Sequence, residues 1–224
     1  MSTIKEHWNY CQSCLLTKPS LRRTAIFLAL LYAIGLLGLA SPYRAQWLPL
    51  TPLLLLITAA LLFQHHPVWS KSFVYFCAIA WLLSFLLEVL GVQTGHIFGT
   101  YRYGTHLGWC VGGVPLLIGL NWLMLVYAVG NMLAPLPSSS TLKSVLGAAL
   151  LVVLDGLMEP VAWQVGFWAW DSTQVPWQNY ATWYLLAGAL LQLFYATHTP
   201  PHNPFGVVVY TILLTFFGIL GLLL

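Results

Sequence analysis

The stretch Leu154-Asp-Gly-Leu-Met-Glu-Pro-Val-Ala-Trp-Gln-Val-Gly-Phe-Trp-Ala-Trp-Asp171 decides how the rest of the chain is read. Its approach, from Leu142 to Leu154, is apolar enough to cross a bilayer, yet Asp155 and Glu159 stand near the far end. Four residues apart on a helix, two carboxyls share a face at roughly 5–6 Å between Cβ atoms. Acidic groups at membrane depth are costly and face a bundle interior or a water-filled cavity. Three of the chain's five acidic residues (Asp155, Glu159 and Asp171) fall here, among Trp163, Phe167, Trp168 and Trp170. The stretch reads as a site at the end of a span.

Working outward, a chain of 224 residues that is 59% hydrophobic and 6% charged is no soluble globular protein. Only helices or closed barrels span hydrocarbon, and barrel strands would alternate. The expected fold class is therefore all-α, a polytopic membrane helical bundle. Seven apolar runs, at 24–40, 47–63, 73–92, 112–133, 142–163, 182–197 and 205–224, are the expected spans. Several lie near the minimum of about 17 residues for a spanning helix. They form one transmembrane domain, 24–224, behind a polar tail, 1–23. The first run, with its basic flank, imitates a signal peptide, but the spans behind it favour an uncleaved first helix.

Orientation follows from the Lys/Arg bias. Lys5, Lys18, Arg22, Arg23, Lys71 and Lys143 lie on the N-terminal side, and only Arg44 and Arg102 on the other. The N-terminus is expected in the cytoplasm and the C-terminus outside. On that topology Glu88 ends span three on the outer side, ahead of a loop with His96, Tyr101, Arg102, Tyr103, His106 and Trp109. Span four enters there with Asn121-Trp122, and span five arrives with Asp155 and Glu159. The unusual polar groups converge on one half of the membrane. Glu88 and Gly95 recur 71 positions later as Glu159 and Gly166, as they would in a parallel repeat.

Other constellations carry less. Cys11 and Cys14 form a C-x-x-C with His7 upstream, three candidate ligands where a closed zinc site needs four. His65-His66 and His198-Thr-Pro-Pro-His202 have ligand-like spacing, but the prolines forbid a helix between the last two. No nucleotide or phosphate-loop fingerprint appears, and no basic patch suits a nucleic acid. Neither a metal nor a cofactor is expected. Trp8, Trp47, Trp69 and Trp183 are expected in the interfacial belt.

Glu88, Asp155 and Glu159 together cannot all be ionised in low dielectric, so an acid/base pair is available. The alternative is that they hydrogen-bond Asn121, Tyr or Trp and glue helices together. Aromatic faces beside them stabilise a cation, and flat rings suit a long conjugated or isoprenoid ligand.

Glu88-Val-Leu-Gly-Val, Gly95, Phe98-Gly-Thr-Tyr-Arg-Tyr103, Gly113-Val-Pro-Leu116 and Trp122 open an ordered series of motifs. Asp155, Glu159-Pro160, Gly166-Phe-Trp-Ala-Trp170 and Val175-Pro-Trp-Gln-Asn179-Tyr-Ala-Thr-Trp183 continue it. The series resembles the integral-membrane carotenoid-biosynthesis proteins of the carotenoid 1,2-hydratase type, over roughly residues 73–200. Two positions depart: Glu159 stands where the resemblance leads one to expect Asp, and Ala181 where it leads one to expect Gly.

The resemblance implies addition of water across the terminal double bond of an acyclic ψ-end. Asp155 or Glu159 would protonate the alkene to a tertiary cation, and Glu88 or its partner would orient the water. Tyr101, Tyr103, Trp163, Trp168 and Trp170 would line the end-group pocket, with Asn121 and Asn179 behind. Trp122, Asp171 and His96 complete the expected substrate-binding set. The partners are then a carotenoid and membrane lipid, with other carotenoid-pathway enzymes as further contacts. The plasma membrane and an internal photosynthetic membrane fit alike. A lycopene-type cyclase begins with the same protonation, and a non-catalytic carotenoid- or lipid-binding protein would use the acids as helix glue.

Overall fold

In hydrocarbon the only partner for a backbone N–H is the chain's own preceding turn, so the apolar runs fold as helices. The computed structural model describes residues 19–197 and 202–224. Its helices are α1 (Pro19–Ala40), α2 (Arg44–Trp47), α3 (Thr51–Gln64), α4 (Lys71–Thr94), α5 (Leu116–Leu133), α6 (Ser140–Val165), α7 (Trp177–Thr197) and α8 (Phe205–Leu223). A 3-10 turn at Leu48–Leu50 joins α2 to α3. Four short strands stand at one end of the bundle: β1 (Tyr101–Tyr103), β2 (Cys110–Val111), β3 (Val114–Pro115) and β4 (Trp168–Trp170).

Each expected run coincides with a helix. Five segments (α1, α2 through α3, α4, α6 and α8) are long and apolar enough to cross a membrane. The apolar part of α5 is shorter, Leu117–Leu133, and α7 carries Gln178, Asn179, Thr182 and Gln192. Serine caps begin two helices: Ser70 Oγ accepts from Phe73 N at 3.1 Å, and Ser139 Oγ accepts from Leu142 N at 3.2 Å. Gly95 and Gly166 end α4 and α6 in the left-handed conformation, at φ 69° and 75°, where a side chain would be strained.

Three helix starts differ from the sequence expectation by four or five residues, and the first is α1, which begins at Pro19 rather than 24, inside the expected polar tail. The helix of the fourth run begins at Leu116 rather than 112, because Cys110–Val111 and Val114–Pro115 pair as a hairpin. Gly112 and Gly113 at positive φ make its two-residue turn. The helix of the sixth run begins at Trp177 rather than 182, directly after Pro176. Its first turn reads as a polar loop, yet Asn179 N already donates to Pro176 O at 3.0 Å. The C-x-x-C with His7, Trp8 and His198 lie outside the described residues.

The core is organised around α5, which packs against α3, α4, α6, α7 and α8. Thirteen of its 18 residues are buried. A polar clamp holds its C-terminal half. His66 Nδ1 pairs with Tyr127 Oη at 2.7 Å, Asn203 Nδ2 donates to Leu62 O at 2.8 Å, and Asn203 N donates to Asn131 Oδ1 at 2.7 Å. His66 stacks on Phe73 with ring centroids 3.6 Å apart. These groups tie α3, α5 and the start of α8 together, and His65-His66 sits within that structural cluster. The catalytically suggestive groups gather at the opposite end of the bundle.

Candidate active site

Strands β1 and β4 pair antiparallel, with Tyr101 opposite Trp170 and Tyr103 opposite Trp168. Alternate strand residues share a face, so this two-stranded ribbon turns four aromatic donors the same way. Each pair serves one glutamate. Tyr101 Oη and Tyr103 Oη both donate to Glu88 Oε2, the latter at 2.9 Å. Trp168 Nε1 and Trp170 Nε1 donate to Glu159 Oε2 at 3.0 and 2.7 Å. An isolated two-stranded hairpin is marginal in water; here the buried glutamates pin the ribbon from below. Burial beside Glu88 pushes the phenols of Tyr101 and Tyr103 well up, so both stay protonated donors.

The remaining donors come from the bundle. Trp122 Nε1 on α5 donates to Glu88 Oε1 at 2.9 Å. Asn179 Nδ2 on α7 donates to Asp155 Oδ2 at 2.7 Å and to Glu159 Oε1 at 3.3 Å, bridging the two acids of α6. Glu88, Asp155 and Glu159 are 3%, 1% and 4% exposed, and among the described residues none of them is ion-paired. The hydrogen-bond accounting separates them. Each glutamate accepts three bonds, and Trp N–H can only donate. Asp155 Oδ1 is buried with no hydrogen-bond partner, which leaves that oxygen free to carry a proton or to meet a ligand.

The groove beside these carboxyls has a volume of about 30 Å³. A water needs roughly 10–15 Å³ by this measure, so one or two waters fit and a bulky group does not. A larger apolar cavity of about 230 Å³ adjoins it. Ile118, Asn121, Met158 and Trp168 line both.

Of the expected site residues, Glu88, Tyr101, Tyr103, Trp122, Asp155, Glu159, Trp168, Trp170 and Asn179 are brought together, with Asn121 at the boundary of the two cavities. Three are not. Trp163 is exposed on the outside of α6: eight residues beyond Asp155 the helix has turned about 80° past a whole number of turns. His96 is exposed in the loop after α4. Asp171 lies at the surface, where Arg102 Nη2 donates to its Oδ1 at 2.7 Å. Its strand neighbour Trp170 takes the inward position.

Trp183, expected in the interfacial belt, is instead buried over Trp122, with ring centroids 4.1 Å apart. Its position one turn past Asn179 on the same helix was the available signal. Met158 and Ile118 are further lining residues that apolar sequence could not single out.

The recurrence of Glu88…Gly95 as Glu159…Gly166 has a geometric counterpart. Each glutamate lies one to two turns before a left-handed glycine cap, and an aromatic strand returns to hydrogen-bond it. The two strands pair antiparallel, as elements related by a local two-fold would.

A family model described as carotenoid biosynthesis protein matches residues 50–223. The bisanhydrobacterioruberin hydratase of Haloarcula japonica is 33% identical over 126 residues, covering 51% of this chain and 41% of that protein. The chain thus spans less than half the length of that curated relative. No solved structure matches. The region matched by the family takes in all three carboxylates and the ribbon above them, and the chain belongs to the carotenoid biosynthesis protein family.

Proposed function

We propose that the protein is a cofactor-independent carotenoid hydratase acting on the terminal C=C of an acyclic ψ-end. The observation that carries the reading is the inequality among three buried carboxyls. Glu88 and Glu159 are each held by three donors, while Asp155 Oδ1 has no hydrogen-bond partner. Three hydrogen bonds donated to each glutamate favour its carboxylate form, most firmly at Glu159, where all three donors are N–H groups that cannot accept. Asp155 is then the carboxylic acid.

In the proposed reaction Asp155 gives its proton to the CH carbon of the terminal alkene, and the positive charge appears on the dimethyl carbon. Glu88 and Glu159 oppose that charge in low dielectric, and the faces of Trp168 and the neighbouring aromatics lie close to it. One water attacks the cationic carbon, and its released proton returns to the Asp155 carboxylate. The sum is addition of H2O, with the acid regenerated. Glu159 Oε1 has the longest hydrogen bond of the set, 3.3 Å to Asn179. It therefore keeps acceptor capacity to orient the water. Glu88 Oε2 takes both phenols and serves as fixed countercharge. The name of the Haloarcula japonica relative and the room for only one or two waters at the acids support hydration over cyclisation.

On the Lys/Arg bias, the site lies in the outer half of a seven-span bundle with a cytoplasmic N-terminus. The test is to express Asp155→Asn and Glu159→Gln in a bacterium that accumulates lycopene, with membrane insertion checked for each. The expected result is loss of hydroxylated pigment in Asp155→Asn and a strong reduction in Glu159→Gln. Unchanged product from both inserted variants would remove these carboxyls from the chemistry.

A further inference from the structure

The apolar cavity beside the acids has a shape and a setting that the chemistry alone does not require. It runs between α1, α3 and α8. Along α1 it extends from Leu31 to Leu39, eight residues or about 12 Å at about 1.5 Å per residue. Helix α1 packs on α8 and touches α3 only sparsely. The gap between α1 and α3 is rimmed by Ile34, Leu50 and Leu53, each about half exposed on the apolar outer surface. Its floor is formed by Gly35, Leu54 and Phe216. Its inner end is the set Ile118, Asn121, Met158 and Trp168, which also lines the carboxyl pocket.

We propose that this groove is a lateral portal that admits the end of a linear polyisoprenoid from the membrane and brings it to the mouth of the carboxyl pocket that holds Asp155. The inference rests on the hydratase reading and adds the substrate's route and shape. A hydrocarbon dissolved in lipid reaches the site sideways, without crossing water. Nearly every lining side chain is apolar, so the groove offers the chain nothing to hydrogen-bond and loses nothing when filled. The polar exception at the inner end is Asn121, at the threshold where the reacting alkene must stop. The acid pocket admits one or two waters only, so the end group is held in the groove with its last double bond facing the carboxyls. A groove of this kind suits a linear, acyclic end better than a ring.

Gly35 gives the test. A Cβ built there meets Leu54 Cδ2 at 3.7 Å and Phe216 Cε2 at 3.9 Å, ordinary contact. Alanine therefore fits, whereas the further carbons of leucine occupy the groove. The protein is purified into phosphatidylcholine nanodiscs and titrated with lycopene as the probe. Binding is read by induced circular dichroism of the polyene band and by quenching of tryptophan fluorescence. Wild type and Asp155→Asn are both measured, so binding is scored without turnover.

The expected result is saturable binding of one polyene per protein in both. Gly35→Ala stays within about twofold of wild type, and Gly35→Leu weakens binding about tenfold or more. Leu37→Phe, on the exposed outer face of the same helix, leaves binding unchanged. Leu54→Trp fills the same space from α3 and serves if Gly35→Leu does not fold. Undiminished binding in both groove-filling variants overturns the proposal. So does the absence of any saturable signal, which means that lipid acyl chains hold the groove. Groove-dependent binding without water addition leaves the portal standing and removes the hydratase reading. Hydration that survives both groove-filling variants removes the portal alone.

Discussion

Replacing Glu88 by glutamine and by alanine separates the two roles assigned to it. Glu88 accepts from Tyr101, Tyr103 and Trp122. Glutamine can turn its carbonyl to Trp122 and its NH2 to the phenols, because a hydroxyl can rotate to accept whereas an indole N–H cannot. The contacts persist, but they are no longer charge-assisted. A bond to a charged group contributes about 1.5–3 kcal/mol and a neutral one about 0.5–1.5. Three such bonds therefore lose about 3 kcal/mol together.

For a chain of this length about 1 kcal/mol corresponds to about 2–4 °C, so Glu88→Gln is expected to lower Tm by about 6–12 °C. Alanine leaves three buried donors without an acceptor at about 1–3 kcal/mol each. It is expected to be distinctly worse than glutamine, up to failure to fold. Turnover of Glu88→Gln should fall further than its stability implies. The lost negative charge opposed the carbocation, and removing one such electrostatic group costs about 10²–10³ in rate. The assay is thermal unfolding by tryptophan fluorescence, paired with product formation from lycopene in the same nanodiscs. Equal damage from glutamine and alanine, or Glu88→Gln with wild-type turnover, would refute the reasoning.

The bridging amide gives a second expectation. Asn179→Leu keeps the volume but strips the donor shared by Asp155 and Glu159, and is expected to cost about 1–3 kcal/mol in unfolding and at least about tenfold in turnover. Gly166→Ala forces a side chain into the left-handed cap that aims β4 at Glu159. It should destabilise by about 1–2 kcal/mol, and the indole bonds to Glu159 should weaken with it, seen as altered tryptophan fluorescence. Trp163→Leu and His96→Ala, at positions away from both cavities, should leave turnover within about twofold of wild type and Tm nearly unchanged.

The apolar runs were legible because membrane helices need nothing but length and hydropathy, and every expected run meets a helix. The convergence of Glu88, Asp155 and Glu159 was legible too, since three acids in so apolar a chain must share partners. The ribbon of β1 and β4 was not. Its strands are three residues each, too short for alternation to register, and they pair across 67 residues at Arg102 and Ala169. The same ribbon decides which aromatics face the acids: Trp168 and Trp170 turn inward from the strand, whereas Trp163 still follows the helix and faces out. Trp183 was misread because an indole near a span end looks the same in sequence whether it meets lipid headgroups or Trp122. Asp155 and Glu159 were indistinguishable as candidate acids until the donors could be assigned, since those donors come from β4 and α7.

The most direct measurement is the mass of the pigment formed from lycopene in cells grown without oxygen in isotopically labelled water. The expected product is heavier than lycopene by one labelled water, formed by wild type and absent with Asp155→Asn. An isomer of unchanged mass would contradict hydration and point to cyclisation. Lycopene recovered unaltered with the purified protein would contradict catalysis altogether.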